Sequence, residues 1–393
     1  MHGRFAEPHA TNAAVAAEDF RKPYLDGLRG SAACVVLFGH VAIALNFPLL
    51  GILGNAAVCV FFVLSAYVLA DLSRRSTLSV PAQAVRRYLR LIVPMLLTST
   101  FAWALLAAGL YQNQEASALT GSQWLSWWYG FDPSFSAMVA ETIYGVFVTG
   151  QSLYNCNLWT MRPELIGSLY IFIISTAPNR NLRALCYLAL AAFYATDYLP
   201  LFSVGALLFE FHPEVSKIAL RGRQAAAMLP AIPLAIGLFL CLMISPQPGF
   251  IARLYALLPR LSVTDNEMHW HMIGATLVVA TVLHWPLLQR TLGSRIGRFL
   301  GRISFTLYLI HIPIICSLTA WIVMALATLP VPIASAIAAV ITITSVFAIA
   351  AMVCRFVDEF PTRFSREAGR FVDLTSPAIT RGAIHINSTA PQP

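Results

Sequence analysis

The chain has 393 residues, 58% of them hydrophobic and 11% charged, with a formal net charge of +8 and a mean hydropathy of +0.69. Soluble globular chains carry about a quarter charged residues, so this composition excludes an ordinary soluble domain and predicts a polytopic membrane protein. The basic excess does not imply nucleic acid: apart from Arg162, Arg253 and Arg260, every Lys and Arg falls in the termini or in alternate loops, the bias that marks the cytosolic side of a membrane protein.

Residues 1–23 are polar and Ala-rich, lack the apolar core of a signal peptide and read as a disordered cytosolic tail ending at Pro23. Apolar runs at about 30–50 and 54–71 predict two spans joined by a short uncharged turn, followed by a basic loop from Asp71 to Arg90 and a third span at about 91–110. Between Arg90 and Arg162 there is no Lys or Arg, but Trp124, Trp127, Trp128, Tyr129 and Tyr144 are present. That pattern fits a non-cytosolic loop on the membrane interface, able to shape an acceptor site. A fourth span, about 159–177, opens with Leu158-Trp159-Thr160-Met161-Arg162-Pro163-Glu164; proline is tolerated in a first helical turn, so Glu164 is placed near the non-cytosolic end. Short spans follow at about 182–196 and 198–211, then others at 226–244 and 268–288, a basic turn from Arg290 to Arg302, and spans at 303–325 and 331–354. The expectation is an all-α polytopic transmembrane bundle of about ten spans with both termini cytosolic, a membrane domain over 24–355, and a cytosolic tail over 356–393. The seven cysteines, an odd number lying mostly in apolar segments without a CxxC pair, argue against a disulfide framework or a thiolate metal site.

Several polar groups in this apolar chain are candidates for chemistry. Arg29 and His40 are eleven residues apart, which on a helix is about 20° past three turns and a rise of about 16 Å, so they share a face. An ionisable group near the bilayer midplane is a functional candidate; the other reading of His40 is a histidine bonded within the core. Arg87 and Arg90, at i and i+3, can present paired guanidiniums to phosphate or anchor a helix end. Glu164 has no carboxylate neighbour in its span and does not share a face with Arg162. It can orient a histidine, contact an acceptor hydroxyl, or bond a neighbouring helix. His311 has Tyr308 one turn before it and Pro313 after it, as a polar cavity lining or a packing device. His271, beside Trp270, reads as an interfacial anchor. No nucleotide-binding, dinucleotide-binding, zinc-protease or hydrolase-elbow motif is present. The residues leave a membrane enzyme, a transporter or an inactive scaffold open, since buried ionisable groups serve each.

The chain resembles the acyltransferase-3 family of multi-pass membrane O-acyltransferases. The resemblance rests on Tyr24-Leu25-Asp26-Gly27-Leu28-Arg29-Gly30 with His40, Phe61-Phe62-Val63-Leu64-Ser65-Ala66-Tyr67, Arg87-Tyr88-Leu89-Arg90, Leu158-Trp159-Thr160 with Glu164, and Ser304 to His311, in family order over about 20–370. Pro163-Glu164 with Gly167-Ser168, Trp270-His271 with Gly274-Ala275, and Val357-Asp358-Glu359 before Arg363-Phe364 resemble the fungal branch. Ala66 and Arg162 depart from the family pattern. The resemblance implies transfer of an acyl group, usually acetyl, from acyl-CoA (acetyl-CoA) as co-substrate to a hydroxyl of a sugar, lipid or small molecule, without a metal. It implies His40 and Glu164 as catalytic residues, Arg29, Arg87 and Arg90 holding CoA phosphates, and Tyr308 with His311 lining the substrate cavity. His40 is then either a general base or a transient acyl carrier. The fungal likeness implies an endomembrane, the endoplasmic reticulum or Golgi; a bacterial inner membrane fits the physics equally.

Overall fold

Proline and glycine, more than hydropathy, set where the helices begin, break and touch. The protein is described by a computed structural model covering residues 22–47, 53–217, 228–243, 249–262 and 265–375. Nearly all of the expected N-terminal tail, and residues 376–393 of the expected C-terminal tail, lie outside the described residues. Among those described there is no strand.

The chain opens with α1 (Pro23–Ala44), α2 (Leu53–Arg75) and α3 (Val80–Ala107). Pro23 and Pro81 lie in first turns, where a missing N–H costs no helical bond. Three short helices follow: α4 (Asn113–Thr120), α5 (Gln123–Ser126) and α6 (Phe135–Ala140), the last continuing through a π-turn to Thr149. A 3₁₀ turn at Cys156–Thr160 leads into α7 (Met161–Ile174), and α8 (Arg180–Phe193), α9 (Pro200–Glu210), α10 (Ala231–Cys241) and α11 (Gly249–Ala256) come next. The chain then forms α12 (Asn266–His284), α13 (Pro286–Leu292), α14 (Arg295–Ile314, extended to Ala325), α15 (Val331–Cys354) and α16 (Phe360–Thr375).

Among the described residues, five helices are long and apolar enough to cross a membrane: α1, α2, α3, the run Arg295–Ala325 and the run Val331–Thr375. A sixth counts if α12 and α13 form one span, although they meet at 93°. The ten-span expectation differs because the segments read as spans four to seven are helices of 14, 14, 11 and 11 residues. At 1.5 Å per residue, 14 residues rise about 21 Å, short of the roughly 30 Å hydrocarbon layer. Pro286 breaks the segment read as span eight, and Gln289 Nε2 takes up the carbonyls of Val282 and Leu283 at 3.0 and 2.8 Å.

At the core of the bundle α1 packs along α14, and α2 lies against α1, α7, α9 and α12. The α1–α14 crossing depends on glycine: a methyl group at Gly30 would stand 2.5 Å from the Gly301 nitrogen, and one at Gly301 would stand 2.5 Å from the Asp26 oxygen. α15 faces the bundle with Ala334, Ala338, Thr342, Val346, Ala350 and Cys354, four residues apart, while Val340 and Met352 are exposed. Small residues repeating in this way let helices approach closely in lipid. α16 folds back along α3, where the Ser79 amide donates to Asp373 Oδ1 at 2.8 Å. The arginines of α1, α3, α14 and α16 therefore collect at one end of the bundle.

Candidate active site

Pro313 organises the centre. It has no N–H, so the carbonyl of Leu309 loses its helical partner. Asn155 Nδ2 donates to that carbonyl at 2.8 Å, and Asn157 Nδ2 donates to the carbonyl of Tyr308. These two bonds hold the segment before α7 against α14. They set Thr160 Oγ1 3.0 Å from Tyr308 Oη, which in turn donates to the Asn157 carbonyl at 3.0 Å.

One turn on, fully buried His311 meets half-buried His40. His311 Nε2 lies 3.2 Å from His40 Nδ1, with ring centroids 5.0 Å apart. Their partners assign the protons. His311 Nδ1 is 2.6 Å from the Tyr308 carbonyl, which can only accept, so Nδ1 carries the hydrogen and neutral Nε2 the lone pair. His40 Nδ1 then carries a hydrogen, shared with that lone pair and with the Val36 carbonyl at 3.0 Å. His40 Nε2 is left with its lone pair, free to take a proton. On the far side of His40 the ring of Trp124 stands 5.5 Å away and makes an edge contact with Trp128. The loop carrying them is tied down by Ser122 Oγ, which donates to the Ile43 carbonyl at 2.7 Å, and by Asn113 Nδ2 on the carbonyls of Leu125 and Trp128.

The other candidate residues fall closer to the basic end. Glu164 does not reach His40: it pairs with Arg87 and accepts from Ser65 Oγ. Arg87 Nε also donates to Ser168 Oγ at 2.8 Å. Arg90 pairs with Asp358 and lies 5.2 Å over the ring of Phe305; Arg29 pairs with Asp26. The two arginines spaced i and i+3 thus hold separate carboxylates. Phe61 of α2 faces the ring of Tyr308 at 5.8 Å, one turn above Ser65, and links the Arg87–Glu164 level to the histidine pair. The sequence does not single out Asn155, Asn157, Ser168 or Asp358 as partners in this network; its one signal is Pro313, which leaves the Leu309 carbonyl in need of a donor from elsewhere in the chain.

An intramembrane histidine pair with one free basic nitrogen suits removal of a proton from a substrate bound beside it, and a column of side chains connects the pair to an arginine-rich end. A family model described as an acyltransferase domain, that of the acyltransferase-3 family, matches residues 22–351. The chain belongs to the acyltransferase-3 family. This acyltransferase is 25% identical to "Acyltransferase clz18" of Cochliobolus lunatus, with 69% of this chain and 70% of that protein covered. It is 26% identical to "Acyltransferase R4" of a Phoma species, covering 67% and 68%, and 25% identical to "O-acetyltransferase PaAT-1" of Phomopsis amygdali, covering 75% and 72%. No solved structure matches it. The acyltransferase is an integral membrane enzyme, and the matched region contains every residue of the histidine network.

Proposed function

We propose that this acyltransferase moves an acyl group, acetyl in the simplest case, from acyl-CoA to a hydroxyl of a sugar, lipid or other small molecule, with His40 as general base. The observation that carries this reading is the ordered histidine pair, which leaves the lone pair of His40 on Nε2. The name of the Phomopsis relative, an O-acetyltransferase, supports acetyl and oxygen as donor group and acceptor atom.

In this reading acyl-CoA enters from the cytosol at the arginine-rich end, and the acceptor meets His40 on the Trp124 side. His40 Nε2 takes the hydroxyl proton as the acceptor oxygen bonds to the thioester carbonyl carbon. The C–S bond breaks, CoA leaves as thiolate and recovers the proton from His40. The products are an ester and CoA, and no further reactant is needed. His311 accepts from His40 throughout and spreads the imidazolium charge; Tyr308 fixes His311 through its carbonyl. Glu164 acts through Arg87 and Ser65, holding the column between the donor entrance and the histidines. The membrane we assign is an endomembrane of a eukaryotic cell, in keeping with the fungal relatives.

The test is CoA release from acetyl-CoA by the purified protein in nanodiscs, native against His40→Ala. General-base catalysis supplies about 10²–10⁴-fold, so the variant loses at least about 100-fold in turnover while still binding acetyl-CoA. Undiminished turnover overturns the mechanism. Hydroxylamine-labile acetyl trapped on His40 during turnover would make the residue an acyl carrier instead.

A further inference from the structure

At the basic end the molecule holds a cleft of about 650 Å³ whose walls come from three elements: Asp26 and Arg29 on α1, Arg295, Arg298 and Arg302 on α14, and Asp358, Glu359, Arg363 and Arg366 entering α16. We propose that this cleft seats the nucleotide head of the donor acyl-CoA, its 3′-phosphate and diphosphate, and that α16, beyond the family-matched residues 22–351, is a wall of the donor site. The proposal rests on the acyl-CoA reading above.

Charge is the first reason. Six guanidiniums face three carboxylates, and two of those carboxylates are engaged: Asp26 by Arg29 and Asp358 by Arg90. Arg295, Arg302, Arg363 and Arg366 have no acidic partner among the described residues. Arg29 Nε and Arg90 Nη1 are buried with no hydrogen-bond partner. A positive-inside bias accounts for basic residues at a membrane surface, but not for their convergence from three elements on one concavity of ligand size. Guanidinium forks match the paired oxygens of phosphate. The pair first expected to do this, Arg87 and Arg90, is held by Glu164 and Asp358.

Register is the second. Arg29 lies in the cleft and His40 about 16 Å above it on one face of α1. On α14, Arg302 lines the cleft and His311 stands nine residues on, a rise of about 14 Å along the helix to the histidine pair. The pantetheine arm of CoA is a flexible chain of comparable length, so a head in the cleft delivers its thioester to His40. α16 is fixed for this role by its packing on α3 and by the Ser79–Asp373 bond.

An anionic lipid headgroup has the same phosphate chemistry, so the experiment separates the two sources. Binding of radiolabelled acetyl-CoA, and its displacement by 3′-phosphoadenosine 5′-diphosphate, is measured for the full chain and for Arg363→Glu/Arg366→Glu in phosphatidylcholine nanodiscs, with and without phosphatidylserine. Acetyl-pantetheine, which lacks the head, serves as the folding control and binds both proteins alike. Loss of a charged hydrogen bond predicts acetyl-CoA affinity at least about tenfold weaker in the variant and no displacement by the bisphosphate. Equal acetyl-CoA affinity of the two proteins overturns the proposal, as does a loss seen only when phosphatidylserine is present, which assigns the cleft to lipid. If the native chain binds neither acetyl-CoA nor acetyl-pantetheine, the acyl-CoA reading itself falls; if it binds both equally tightly and the bisphosphate displaces nothing, only the cleft assignment does. Milder Arg363→Gln repeats the comparison should the double reversal fail to fold.

Discussion

Replacing His311 by leucine tests the histidine pair without touching the base. The His40–His311 bond spans 3.2 Å. Between neutral rings it contributes about 1 kcal/mol, and about 1.5–3 kcal/mol once His40 is an imidazolium. Only the difference, about 0.5–2 kcal/mol, distinguishes the transition state from the resting enzyme, which corresponds to a loss of about 2- to 30-fold in kcat. The tautomer of His40 survives, because the Val36 carbonyl still accepts from Nδ1 at 3.0 Å, so the far larger penalty of a wrongly placed proton does not arise. The KM for acetyl-CoA stays unchanged, since His311 stands three turns of α14 from the arginine cleft. His311→Gln restores an acceptor and recovers part of the rate. The assay is CoA release across a range of acetyl-CoA concentrations. A kcat unaffected by leucine, a loss confined to KM, or a glutamine variant as poor as the leucine one would refute the reasoning.

Two further outcomes follow from the same network. Glu164→Ala leaves Arg87 without its carboxylate at a side-chain exposure of 16%, costing about 3 kcal/mol, whereas the double change Glu164→Leu/Arg87→Leu costs less than either single one; thermal unfolding in detergent reads this, and additive losses would contradict it. Trp124→Ala opens the side of His40 away from the cleft, so CoA release without any acceptor rises as water replaces the indole; an unchanged or lower background rate would show that Trp124 does not shield the site.

Much of the site was legible because helical spacing is local physics. Arg29 and His40 share a face as their separation requires, and Tyr308 sits one turn from His311, although the working contact is its carbonyl as well as its ring. What spacing does not carry is the meeting of distant segments. His40 and His311 are 271 positions apart and Arg87 and Glu164 are 77 apart, so the resemblance grouped them but the residues alone did not pair them. Helix number was less legible than helix content: the apolar runs read as spans four to seven fold as helices too short to cross, and Pro286 breaks the run after them. α16 escaped notice for a related reason. Its buried side is Pro361, Ser365 and Gly369, a stripe made by small size rather than hydropathy, and beneath charged neighbours it reads as a basic tail.

The four-residue ladder of small side chains on α15 carries a consequence for genetics. That ladder, with Ser335, is the most deeply buried part of α15, and Ala339, Ile343, Phe347, Ile349 and Ala351 pack partly against the core; exchange of one aliphatic residue for another is therefore silent at exposed positions such as Ile337, Val340 and Met352, and sensitivity in a saturation screen recurs once per turn. α1 is buried over more of its circumference, Gly27, Gly30, Ala33, Leu37 and Val41 on one side and Leu25, Leu28, Ala32 and Val36 on another, which leaves a narrow strip around exposed Phe38 as its tolerant side. Loss-of-function alleles accumulating in α1 therefore mix failed assembly with failed chemistry, and membrane abundance must be scored alongside activity before any α1 allele is attributed to the reaction.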